Sequence, residues 1–196
     1  MKPGIPSHVP RRWRHGFMLL VLLVVANAPA PAAGPVSDEY QLKAALIYKL
    51  THFVKWPTAT RASDERSFGI CVLGRDPFGK AVDALEGRKV NDVPIRVRRF
   101  RRSDGIGKQC RILFISDSKQ AFVDPILKSL EGRPVLTLGD MDRFADKGGM
   151  IQFSRGGRRI GFRINLARAR AAGLKLAAPL LQLATIVGDD GEGDAP

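Results

Sequence analysis

Between residues 68 and 139, short apolar runs alternate with amphipathic stretches, and this alternation most narrows what the chain can fold into. Phe68-Gly69-Ile70-Cys71-Val72-Leu73 and Ile112-Leu113-Phe114-Ile115 are continuous apolar segments of strand length. Strands buried on both faces read this way. Ile95-Arg96-Val97-Arg98 alternates like a half-exposed strand, and Val135-Leu136-Thr137-Leu138 is a further strand. Phe78, Ala81, Val82 and Leu85 recur at helical spacing, as do Phe122, Ile126, Leu127 and Leu130. The order β-α-β-β-α-β calls for a largely parallel sheet with helices on its faces.

The flanks extend this frame. Ser37-Asp38-Glu39 opens a helix with a cap and early negative charge. Leu42, Leu46, Leu50 and Phe53 form its main stripe, with Tyr40, Ile47 and Val54 beside it, and Trp56-Pro57 stops it. Asp76 is placed to cap the second helix, with Pro77 at its first position. Pro125 either starts the main part of the third, capped by Asp124, or bends it. Met150–Phe153 and Arg159–Ile164 flank a Gly-containing turn and form a hairpin. Asn165 caps a short helix, and residues 179–187 read as a last apolar helix. The expected fold is therefore α/β: a single-domain sandwich with a mixed, mostly parallel sheet flanked by helices, plus a C-terminal β-hairpin and helices.

The N-terminus reads as a leader. Arg11, Arg12 and Arg14 precede an apolar run over residues 17–26, and Ala30-Pro31-Ala32 offers a cleavage site before Ala33. A basic region, about ten apolar residues and a small-residue end make a secretory signal peptide. The run falls short of the roughly 20 apolar residues a membrane span needs. The expected layout is a signal peptide at 1–32, one domain at 33–188 and a disordered acidic tail at 189–196, with work done outside the cytoplasm. The leader holds Lys2, Arg11, Arg12 and Arg14 and no acid, so the net charge of +13 falls by four to +9. The remaining 164 residues are enough for one real core.

Arg96, Arg98, Arg99, Arg101, Arg102, Lys108 and Arg111 form a dense basic cluster. No zinc-finger spacing or stacking motif accompanies it, so nucleic acid is not the expected partner. A charged strand edge guarded against aggregation accounts for the cluster. A basic surface facing an acidic partner or an anionic membrane is the alternative.

Cys71 and Cys110 each adjoin an apolar strand. In an oxidising compartment they can close a bridge over about 40 residues, or remain buried thiols. Two cysteines with His8, His15 and His52 do not make a metal site, and no cofactor is implied. Asp76, Asp117 and Asp140 follow strands, where α/β enzymes place functional groups, yet each also suits a turn or cap. With no Gly-x-Ser-x-Gly elbow and no nucleophile–base pair, the reading is a binding protein and not an enzyme.

Several segments in order resemble the YfiR family of periplasmic regulators. They are the helix ending Phe53-Val54-Lys55-Trp56-Pro57, the turn Gly74-x-Asp76-Pro77-Phe78-Gly79, and Cys110-Arg111-Ile112-Leu113-Phe114-Ile115-Ser116. Val135-Leu136-Thr137-Leu138-Gly139-Asp140, Gly148-Gly149-Met150-Ile151 and Phe162-Arg163-Ile164-Asn165-Leu166 follow, leading to Ala172-Gly173-Leu174-Lys175-Leu176 and Leu180-Leu181-Gln182-Leu183-Ala184. The resemblance implies a non-enzymatic repressor that binds the periplasmic domain of an inner-membrane diguanylate cyclase and lowers cyclic-di-GMP and biofilm formation. It also implies a homodimer and sequestration by an outer-membrane lipoprotein. Cys71 and Cys110 match a family cysteine pair, whereas a second pair found in other members is missing. The family's repression region points to Ile151, Phe153, Arg163 and Leu166, with Arg163 where an acid is common. A small aromatic or amino-acid-like ligand would fall to Trp56, Arg61 and Lys175. The alternative function is a periplasmic small-ligand-binding sensor module feeding another membrane receptor or transporter.

Overall fold

The computed structural model describes residues 37–57, 67–156 and 159–188. The leader, Arg61 and the acidic tail lie outside the described residues.

Helix α1 (Asp38–Phe53) runs into a two-residue strand β1 (Val54–Lys55). Then follow β2 (Phe68–Leu73), α2 (Lys80–Asp83), β3 (Lys89–Val90), β4 (Val93–Phe100), α3 (Ile106–Gln109) and β5 (Ile112–Ile115). A 3-10 turn (Asp117–Phe122) leads into α4 (Val123–Ser129) and β6 (Leu136–Gly139). The chain ends with β7 (Ile151–Gly156), β8 (Arg159–Asn165), α5 (Leu166–Ala171), β9 (Lys175–Leu176), α6 (Ala178–Gln182) and β10 (Ala184–Val187).

The main sheet has the order β10-β8-β7-β6-β5-β2-β4-β3. β4, β2, β5, β6 and β7 run parallel to one another. β7 and β8 form the expected antiparallel hairpin, and β3 pairs antiparallel with β4. β2, β5 and β6 sit at the centre, and all their residues are buried. That is why these strands read as continuous apolar runs rather than alternating ones.

Side chains alternate between two apolar layers. Ile70, Val72, Ile112, Phe114, Leu136 and Leu138 face α1, α2 and α5, through Ala44, Ile47, Leu50, Val82 and Ala169. Phe78 joins that layer edge-on to Phe114, with ring centroids 4.7 Å apart. Cys71, Leu73, Leu113 and Ile115 face the opposite way, onto Ile106, Val123, Ile126, Leu127 and Phe144. The result is a three-layer α/β/α unit, as the order of elements requires.

Four local expectations are corrected. The main stripe of α1 is not Leu42-Leu46-Leu50-Phe53, because Leu42 is 45 % and Phe53 36 % exposed. The buried face is Lys43, Ala44, Ile47, Leu50 and Thr51. Ala44 allows close approach, and Lys43 turns inward to meet Asp140, which rotates the helix away from the purely apolar choice. Ser37 stands at the N-cap but makes no side-chain cap bond.

Asp76 does not cap α2, which begins three residues after Pro77 with Gly79 at its N-cap. Asp76 instead accepts the Phe78 N–H at 2.7 Å, tightening the turn so that Phe78 drops into the core. Pro125 does not start α4 behind an Asp124 cap. The helix begins at Val123 with Phe122 as N-cap, so Pro125 sits in the first turn, where no intrahelical N–H is needed.

Residues 179–187 do not form one helix. α6 ends at Gln182, and β10 pairs in parallel with β8, from Ala184 opposite Phe162 to Val187 opposite Asn165. Thr185, Ile186 and Val187 are β-branched and prefer the pleated margin to a helix.

The loop after β6 folds back over Phe144, which is fully buried between Gly139 and Gly149. A Cβ on Gly149 would overlap the Phe144 ring. Gly149→Ala is therefore expected to cost about 1–3 kcal/mol through overpacking, measured as a lower midpoint in denaturant unfolding. An unchanged midpoint would show that Phe144 yields freely.

Candidate functional site

The C-terminal ends of the parallel strands gather the three aspartates singled out in the sequence. Asp140, just past β6, accepts the Tyr40 hydroxyl at 2.9 Å and a bond from the Lys43 ammonium. Lys43 also pairs with Glu39 at 2.7 Å and lies over the Tyr40 ring, 4.4 Å from its centroid. Burial first, and the Asp140 carboxylate second, push the Tyr40 phenol far above its usual range, so it acts as a donor. Asp76 takes the Arg99 guanidinium at 2.7 Å in addition to the Phe78 N–H. Asp117 opens the 3-10 turn, exposed, behind Ser116, whose hydroxyl accepts the Ser118 N–H. Asp76 and Asp140 thus hold elements together, joining α1 and β4 to the sheet.

At the other end of the sheet an apolar margin is left open. β10 is the outermost strand among the described residues, beside β8 and then β7. Leu183 is 74 % exposed and Ile186 37 %, and half-buried Phe162 lies in register with Ala184. Behind them Phe153 packs on Phe162 with ring centroids 5.7 Å apart. Exposed Leu183 at the end of α6 and Ile186 on β10, beside an outer edge that no other described strand pairs with, make an association surface.

The four residues assigned to repression sit in and behind this margin. Ile151 and Phe153 on β7 are buried, and Leu166 opens α5, also buried. Arg163 on β8 is the reachable one, partly exposed and held by both Asp146 oxygens at 3.0 and 3.1 Å. Strand register puts Arg163 between Gln152 and Thr185. Leu183, Ile186 and Phe162 were not singled out in the sequence. Residues 179–187 read as a helix there, which hides the exposed middle of a margin strand, Thr185 and Ile186.

The ligand candidates fall on a separate two-stranded ribbon. β1 pairs with β9 so that Lys55 faces Lys175, which places Trp56 one residue from Lys175 in register. Trp56 donates its indole N–H to the Arg111 carbonyl at 3.3 Å and stacks edge-on to Phe68. Lys175 is exposed.

Cys71 and Cys110 form a disulfide. Cys71 lies on β2 and Cys110 just after α3, so the bridge ties the β4–β5 connection to the sheet.

The fold and this margin define a class: a small three-layer α/β domain whose mixed sheet ends, among the described residues, in an uncovered apolar strand. The chain belongs to the YfiR/HmsC-like family, whose model matches residues 40–185. Among solved structures it is similar to a conserved domain protein from Vibrio cholerae O1 biovar El Tor. That match has a TM-score of 0.53 and 9 % identity and covers 75 % of this chain and 59 % of that one. It is also similar to an ABC domain in complex with L-Trp from Streptococcus pneumoniae, at TM-score 0.48 and 10 % identity over 76 % and 60 % of the two chains. This chain thus spans about three fifths of the length of these structures. At 9 % identity, the Vibrio likeness shows the fold alone.

Proposed function

We propose that this protein is a periplasmic, non-enzymatic regulator that binds the periplasmic sensor domain of an inner-membrane diguanylate cyclase and holds the enzyme off. The observation that carries the reading is family membership across almost the whole domain. The uncovered β10 margin supports it, because a repressor of this kind needs a surface for a partner. In this reading Leu183, Ile186 and Arg163 touch the receiver, and Ile151, Phe153 and Leu166 shape the strands behind them. Binding at the margin lowers cyclic-di-GMP and biofilm formation, self-association gives a dimer, and an outer-membrane lipoprotein removes the repressor.

The test is capture from detergent-solubilised inner membrane by residues 33–196. The expected catch is a protein with a periplasmic sensor and a cytoplasmic cyclase domain. Leu183→Asp with Ile186→Asp should reduce that capture at least tenfold without loss of folding, since both side chains are exposed in the free protein. Capture of a transport component alone would instead favour the small-ligand sensor, for which Trp56, Arg61 and Lys175 are the candidate residues, Trp56 lying one residue from Lys175 in register.

A further inference from the structure

The basic cluster of residues 96–111 is divided by the fold into a neutralised set and a free set. Arg99 points to the α2 face and is held by Asp76 and Asp83, each at 2.7 Å. Arg96 pairs with Glu86 at 2.8 Å, and Glu86 also accepts the Val97 N–H, closing the β4 edge. Arg98 lies on the other face, opposite Cys71 in register and so beside the disulfide. Arg101 and Arg102, just past the end of β4, are exposed, and Lys108 is exposed on α3. Arg75 joins them, because the Gly74 N–H bonds the Phe100 carbonyl at 2.9 Å. Among the described residues none of Arg75, Arg101, Arg102 and Lys108 has an ion-pair partner, and half-buried Arg98 makes no ion pair although its charge acts on the Glu86 carboxylate. Asp104 is the one acid between residues 98 and 111.

We propose that this ridge is a docking surface for an anionic phospholipid bilayer, and that it seats the protein on the membrane carrying its receiver. Only the place of action rests on the regulator reading above; the affinity for lipid does not. The ridge is pre-organised, because the disulfide pins Cys110 at the end of α3, and Gly69 lets the Gln109 carbonyl approach the strand where a Cβ would collide. Unpaired arginines at an exposed turn match a plane of phosphate charge. They do not match nucleic acid: α3 has four residues and cannot fill a groove, and Phe100 packs into the core and offers no stacking platform. Arg75, Arg98, Arg101, Arg102 and Lys108 present charge rather than the buried aromatic and aliphatic anchors of a protein interface.

Co-sedimentation with vesicles tests this. Residues 33–196 should bind vesicles containing phosphatidylglycerol, not pure phosphatidylcholine, and added salt should release them. Each basic group brought to the surface is worth about fivefold in partitioning, so Arg98→Glu with Arg101→Glu and Arg102→Glu should weaken binding by on the order of a hundredfold or more. The control Lys128→Glu with Lys147→Glu and Arg170→Glu changes net charge equally at exposed positions elsewhere and should retain most binding. The proposal is overturned if the ridge variant binds like wild type or if the control loses as much. It is also overturned if a short DNA duplex binds more tightly than the vesicles. The ridge variant should still capture the membrane receiver in detergent, where no bilayer exists. Loss of capture with vesicle binding intact is the result expected of the Leu183 and Ile186 variant, and capture retained by that variant would count against the margin alone and leave the lipid proposal standing.

Discussion

Replacing Cys71 with serine is expected to lower the unfolding free energy by about 3–4 kcal/mol. The cysteines are 39 residues apart in sequence, and the bridge closes the loop that holds α2, β3, β4 and α3. Constraining a loop of that length in the unfolded chain is worth about 4 kcal/mol in the chain-entropy model. Both sulfurs belong to buried residues, Cys71 with no exposure and Cys110 with 4 %. A serine hydroxyl there meets Leu73, Ile106 and Leu113 and gains no obvious partner, so nothing offsets the lost cross-link. For a domain of this size the melting temperature should fall by on the order of 10 °C. Cys110→Ser and wild type under reductant should match it. A coincident melting curve for all of them would show that the bridge carries no stability.

The second large effect is at Lys43. It is 4 % exposed and bonded to Glu39 and Asp140, themselves 22 % and 10 % exposed. Lys43→Met keeps the length and packing of the stem but removes the cation. Asp140 then keeps the Tyr40 hydroxyl but loses its cation. Removing one partner of a buried ion pair costs about 3–5 kcal/mol, because the remaining charge loses its counter-ion. Tyr40 stays protonated and donates to Asp140, so it cannot supply the missing positive charge. Urea unfolding of Lys43→Met, Asp140→Asn and the double variant forms a cycle. The double variant should recover part of the loss, since the neutral amide no longer demands a cation. Strict additivity of the two single losses would refute the coupling. The result bears on function, because this cluster sets the rotation of α1 and leaves Leu42 and Phe53 facing solvent.

The sequence was most legible where burial is two-sided. β2, β5 and β6 are apolar at nearly every position, and a strand with both faces covered has no other way to read. The hairpin of β7 and β8 and the Asn165 cap, whose side chain accepts the Arg168 N–H, were equally plain. α1 was misread in phase because its inward face carries a lysine, and periodicity counts lysine as outside. Its true partner, Asp140, lies 97 residues away. β10 was misread because Pro179, Leu180 and Leu181 do begin a helix, and nothing local says where β8 will be waiting to pair.

By itself the sequence determined the layers: an order of apolar and amphipathic segments that admits little but a parallel sheet covered on both faces, and a family resemblance spread along it. Only the tertiary structure decided which charges are spent inside and which remain free. Arg99 and Lys43 are consumed by acids brought from other elements, whereas Arg98, Arg101 and Arg102 are not. It also decided that β10 is the outermost of the described strands. Neither follows from local pattern, because a charge is neutralised and an edge is covered by residues distant in the chain, and only folding brings them within reach.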